Sequence, residues 1–162
     1  MLGQLFVHDP TLRRAFEKTI FTATTYNLGP KTACEPHLDS GNLAFGWCAI
    51  SALGDFDFTK GGHLILWELG LVVEFPPGST ALIPSALVTH SNTAISATEN
   101  RYSFTQYAAG ALFQWVDHDF QTVENYRATH SPHALQELDA ANKNRWEHGL
   151  ALLPRIPSVC LR

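Results

Sequence analysis

Between residues 20 and 116 the chain is cut into short apolar, β-branched and aromatic runs, each bounded by Gly, Pro, Asn or Asp. The runs cover 20–28, 45–53, 63–69, 71–75, 80–83, 86–90, 101–107 and 111–116. Punctuation of this kind is what strands of an antiparallel sheet require. Eight short strands at this spacing predict a jelly roll or barrel. On either side the texture turns helical. Asp9 is placed to cap, Pro10 suits a first turn, and Leu12, Phe16 and Ile20 recur at helical spacing. Past Val116, Ser131 followed by Pro132 starts a second helical stretch that carries Leu135, Leu138 and Ala141 toward Trp146 and Leu150.

The chain has 162 residues, the length of one domain. At 45% hydrophobic and 16% charged it can bury a sizeable core, which excludes a disordered chain. Eleven Lys and Arg against 15 Asp and Glu leave a formal charge of −4, and Arg13-Arg14 is the only adjacent basic pair. A broad positive surface for phosphate is therefore not expected. No apolar run reaches the roughly 18 residues of a membrane span, and the opening MLGQLFVHDPTLRR lacks the order of a signal peptide. The expectation is a soluble, intracellular protein of the nucleus or cytoplasm. Cys34, Cys48 and Cys160 include no C-x-x-C, against a disulfide framework or zinc knuckle. Cys48 is expected in the core and Cys34 in a packing role.

The sharpest local feature is His37-Leu38-Asp39. In an extended chain residues i and i+2 share a face, so an imidazole and a carboxylate can reach one ion. Alone, this spacing is weak evidence. His90 ends an apolar run 51 residues beyond Asp39, a separation that lets the chain return beside the first pair. Two histidines and one carboxylate occupy one face of an octahedral ion and leave the other positions open. Arg101 and Ser103, on one face of the next run, combine a guanidinium fork with a hydroxyl, a receptor for a carboxylate.

The ordered set H37-L-D39, G61-G62-H-L, P77-G-S-T-A-L-I-P84, H90 and R101-Y-S103 resembles the iron(II)/2-oxoglutarate-dependent dioxygenases. The resemblance covers residues 20 to 116. It implies a mainly β (α+β) fold with a double-stranded β-helix (jelly-roll) core over about 20–116, flanking N-terminal and C-terminal helices, and a C-terminal helical segment at about 120–155, all in a single domain over 1–162. It also implies Fe(II) on His37, Asp39 and His90, and 2-oxoglutarate on Arg101 and Ser103, with Tyr26 and Asn27 as further cosubstrate contacts. Dioxygen is the second substrate. More narrowly, F45-G-W-C-A-I-S-A-L-G54 with G-G-H-L-I-L-W-E-L and F-P-P-G-S-T is similar to the Tet/J-binding-protein-like oxygenases carried by fungi. That likeness points to hydroxylation of a C–H bond, with the methyl group of a modified nucleobase (5-methylcytosine or N6-methyladenine) as substrate class. Such enzymes usually have extra elements before the core, whereas about 20 residues precede it here, either a shortened chain or a minimal domain.

Two other readings stay open at this level: a non-catalytic jelly-roll binding module, and a dioxygenase of a small molecule or protein side chain. A cupin-type metalloenzyme is a further rival, but it makes no demand for Arg101. Phe45, Trp47 and Trp67 are expected in the core, with stacking on a flipped base as the alternative. His63 is expected in solvent, and Asp117-His118-Asp119 carries ligand types without a geometry for a second metal. Oligomeric state is unreadable.

Overall fold

The computed structural model describes residues 2–152. Strand β7 (Asn100–Tyr107) organises the first sheet. It pairs on one side with β1 (Ala23–Asn27), from Ala23 opposite Tyr107 to Asn27 opposite Ser103, and on the other with β2 (Cys48–Asp55). With β5 (Thr80–Ile83) added beyond β2, the antiparallel order is β1-β7-β2-β5. The second sheet joins β4 (Leu71–Val73), β3 (Leu64–Leu66) and β6 (His90–Asn92) in that order. An isolated bridge between His37 and His90 adds the His37 segment beside β6.

The core is made of Cys48, Ile50 and Ala52 on one face of β2, with Phe56, Leu64, Phe75 and Ile83. Alternation along β2 explains this set, since residues two apart enter the same face. Gly54, next to the end of the strand, has φ +122, and a Cβ there would run into the Asn100 carbonyl oxygen, so only glycine lets β2 lie this close to β7.

Several expected elements differ. Helix α1 spans Leu2–His8 and stops where a helix was expected to start. The Asp9 carboxylate accepts hydrogen bonds from the Thr11 N–H (2.9 Å) and hydroxyl (2.6 Å), a local turn that competes with helix, and Pro10 disfavours helical backbone at the residue before it. Leu12, Phe16 and Ile20 therefore lie in irregular chain, with the Phe16 ring 6.1 Å from that of Phe104. The run 86–90 is a turn in which the Leu87 and Val88 N–H groups both bond to the Pro84 carbonyl, and the strand begins only at His90. The run 111–116 is helical, within α2 (Gly110–Asp117). Beyond Tyr107 the chain makes one bridge, Ala109 with Asn42, flanked by hydrogen bonds from Leu43 N–H to the Ala108 carbonyl and from Gly110 N–H to the Gly41 carbonyl, and then turns into α2.

Contacts divide the chain into two compact units, one up to Phe120 and one from Gln121. The second unit contains α3 (Val123–Thr129), capped by the Thr122 hydroxyl accepting from the Asn125 N–H, and α4 (Pro132–Ala151). The Ser131 hydroxyl accepts from the Ala134 N–H and Pro132 occupies the first turn, as expected. The stretch to 155 expected as helical runs past the described residues, and Cys160 lies outside them.

Candidate metal centre

His37 and His90 face one another because their backbones are a hydrogen-bonded antiparallel pair. Each N–H donates to the other's carbonyl, at 3.1 and 3.0 Å. Residues opposed in this way project their side chains to the same face, and the two rings stand 4.4 Å apart. Asp39 joins them two residues on from His37, its N–H donating to the Ser85 carbonyl at 3.0 Å. The His37 Nε2 lies 3.7 Å from Asp39 Oδ1, and the His90 Nε2 lies 3.9 Å from Asp39 Oδ2. These gaps exceed hydrogen-bond length. The three ligand atoms all fall within 4.8 Å of one another, the one such group of three among the described residues.

Both imidazoles are turned the same way. The Nδ1 of His37 is 2.7 Å from the Glu35 carbonyl, and the Nδ1 of His90 is 3.0 Å from the Val88 carbonyl. A carbonyl only accepts, so each Nδ1 carries a proton, and in the neutral ring Nε2 is the lone-pair nitrogen facing Asp39. Outer partners of this kind fix tautomer and ring orientation in metal sites. His90 is buried, whereas the side chain of His37 is 42% exposed and leaves the centre open on its flank.

The triad borders a cavity of about 330 Å³. Its walls include Asn27 and Thr25 of β1, Ile50 of β2, Asn92 of β6, and Ser103, Thr105 and Tyr107 of β7. Asn27 Nδ2 donates to Ser103 Oγ at 3.0 Å, which leaves the serine hydroxyl hydrogen available to another acceptor. Tyr26, expected as a cosubstrate contact, is not part of this wall. It is adjacent to Asn27 on β1 and therefore points to the opposite face, 55% exposed and stacked on Phe104.

Arg101 is wholly buried, at 0% exposure. Its Nη1 donates to the Thr32 carbonyl at 2.8 Å, while Nε and Nη2 are buried with no hydrogen-bond partner among the described residues. Burial pushes the guanidinium pKa below its ordinary value, with the Cys34 thiol acting the other way. Because a guanidinium stays charged, this shift records desolvation of a cation with no carboxylate partner among the described residues. The segment beside it is pinned. Arg101 N–H donates to the Pro30 carbonyl (2.8 Å), Thr32 N–H donates to the Arg101 carbonyl (3.0 Å), and the Lys31 ammonium donates to the carbonyls of Ser96, Ala97 and Glu99. Gly62 makes room here, since its Cβ would stand 2.5 Å from the Phe56 ring.

Cys34 lines the cavity, and burial raises its thiol pKa, opposed by Arg101 and assisted by Asp39. Burial likewise pushes the Cys48 thiol up to about 11, in keeping with its expected core place. His63 departs from expectation: its Nε2 is buried without a hydrogen-bond partner. Trp47 and Trp67 are half exposed rather than in the core and line no part of the cavity, and Trp67 Nε1 donates to Ser91 Oγ at 3.0 Å. Sequence reasoning missed Asn92, Thr105 and Tyr107, although alternation from His90 and Arg101 carries them. It also missed Asn42 and Ser85, for which no pattern stands out. The chain matches no protein-family model, and no curated protein is significantly similar to it.

Proposed function

We propose that the chain is an iron(II)/2-oxoglutarate-dependent dioxygenase that hydroxylates a C–H bond. The observation that carries the reading is the conjunction of two imidazoles and a carboxylate on one cavity with a buried, under-partnered guanidinium two residues from a wall residue of that cavity. The donor set suits a divalent ion of intermediate softness such as Fe(II). Unpartnered Nε and Nη2 match the fork that a carboxylate takes. A jelly-roll core is supported by the way the chain alternates between sheets: β1 in the first, His37 in the second, β2 in the first, β3 and β4 in the second, then β5, β6 and β7 by turns.

In this reading His37, Asp39 and His90 hold the iron, and Arg101 with Ser103 receives the distal carboxylate of 2-oxoglutarate. Bound together, iron and cosubstrate supply dioxygen activation coupled to oxidative decarboxylation. The protein's own groups do the rest. The Glu35 and Val88 carbonyls hold both Nδ1 atoms as donors and so aim both Nε2 atoms inward. Asn27 occupies one lone pair of Ser103, so the serine hydrogen turns toward the carboxylate. Ile50 supplies an apolar wall that keeps bulk water from the reacting centre. For substrate, the likeness to Tet-like oxygenases favours a nucleobase methyl group. Anaerobic titration with Fe(II) and 2-oxoglutarate should give a visible charge-transfer band, and admitting air with a methylated oligonucleotide should release succinate with a gain of one oxygen. Absence of both band and succinate rejects the dioxygenase reading. A band without succinate leaves a binding module, and turnover only on small molecules or peptides replaces the substrate class.

A further inference from the structure

We infer that Asn42 is a positioning residue for the metal centre, acting through Asp39 and anchored on Ser85. The inference rests on the metal-site reading of His37, Asp39 and His90. Asp39 begins a tight turn in which the Asn42 N–H donates to the Asp39 carbonyl at 2.9 Å, returning the asparagine side chain toward the carboxylate. Its Nδ2 donates to Asp39 Oδ2 at 3.2 Å and to Ser85 Oγ at 3.1 Å. An amide nitrogen carries two hydrogens, and both are committed. Ser85 is the fixed end of the chain. It is 1% exposed; its carbonyl accepts the Asp39 N–H directly, and its hydroxyl oxygen acts on Asp39 only through Asn42.

The consequence concerns the one anionic ligand of the triad. Asp39 is a third exposed and has a freely rotating carboxylate unless something restrains it. The Asn42 donor ties Oδ2 and leaves Oδ1 toward His37, so the carboxylate is preset before an ion arrives. Without that tie the ordering must occur on binding, and groups that orient metal ligands typically contribute 10–100-fold in affinity.

The test measures Co(II) affinity by calorimetry on the full chain, for the parent, Asn42→Ala and Ser85→Ala, with the metal-free melting temperature of each. We expect Asn42→Ala to bind Co(II) on the order of 10–100-fold more weakly with altered d–d absorption and a metal-free melting temperature like the parent's. Ser85→Ala should shift in the same direction by less, because Asn42 stays but loses its anchor. Parent-like affinity and spectrum in both variants overturn the inference while leaving the metal centre standing. A parent that binds no Co(II) overturns the metal centre and this inference together. If Asn42→Ala does not fold, Ser85→Ala decides: weaker binding supports the inference and parent-like binding overturns it.

Discussion

Arg101→Met should make the ligand-free protein more stable and end its response to 2-oxoglutarate. In the parent, a fully buried guanidinium has one hydrogen bond, from Nη1 to the Thr32 carbonyl, and two nitrogens with none. Desolvating an ion costs several kcal/mol when nothing compensates it, and replacing buried ionic groups by apolar ones of similar volume is neutral or stabilising by about 1–4 kcal/mol. Methionine keeps an apolar stem beside Gly62 and Phe56 and removes the charge. Against this stands the Thr32 carbonyl, which loses its donor at about 1–3 kcal/mol. The net expectation is about 1 kcal/mol of stabilisation, a rise of roughly 2–4 °C for a chain of 162 residues. With Mn(II) and 2-oxoglutarate at a hundred times its dissociation constant, the parent gains about 2.7 kcal/mol, on the order of 5–10 °C, and the variant gains none from the cosubstrate. Thermal melts with and without cosubstrate read both effects. A variant that melts below the parent without ligand refutes the claim of an uncompensated charge, and one that keeps the parent's shift with 2-oxoglutarate refutes the clamp.

Asp39→Ala should abolish Fe(II)-dependent succinate release and weaken Co(II) binding by at least tenfold, read by calorimetry, because two histidines remain without the anionic ligand. Gly54→Ala forces a side chain into positive φ and against the Asn100 carbonyl, and should cost about 2 kcal/mol or more, a fall of roughly 4–8 °C in melting temperature. Asp57 is held down to about 2, first by the Lys60 ammonium and then by Thr59. Its folded pKa is thus below its unfolded value, so its contribution is present above about pH 4 and lost as pH falls through about 2. Asp57→Asn should therefore melt below the parent at pH 5, with the gap shrinking steadily from about pH 4 to about pH 2; a gap that is unchanged between pH 5 and pH 2 sinks the assignment.

Strand content was legible from punctuation and alternation wherever a run had a partner across the sheet. Residues 80–83 became β5 without change, and 101–107 became β7 with one residue added in front. The failures have a common cause, in that a run of apolar residues does not say whether a neighbour exists to pair with it. That is why 111–116 became helix and 86–90 a turn. In the site, His37, Asp39 and His90 could be read because ligand chemistry limits the residue types and alternation limits the faces. The same alternation rule separates Tyr26 from Asn27, two neighbours that cannot share a wall. The seal over Arg101 and the role of Ser85 arise from chain segments far apart in sequence, Thr32 against residue 101 and Asn42 against residue 85, and no local pattern encodes such meetings.

The groups that steer the two imidazoles belong to the peptide backbone, at positions 35 and 88. Every residue supplies a backbone carbonyl, proline included, so substitution at either position leaves the aiming device in place. Divergent copies of this gene could change both side chains freely and still inherit a centre with the same handedness of approach. What they could not tolerate is an insertion between either carbonyl and its histidine, because the distance that matters there is counted in residues.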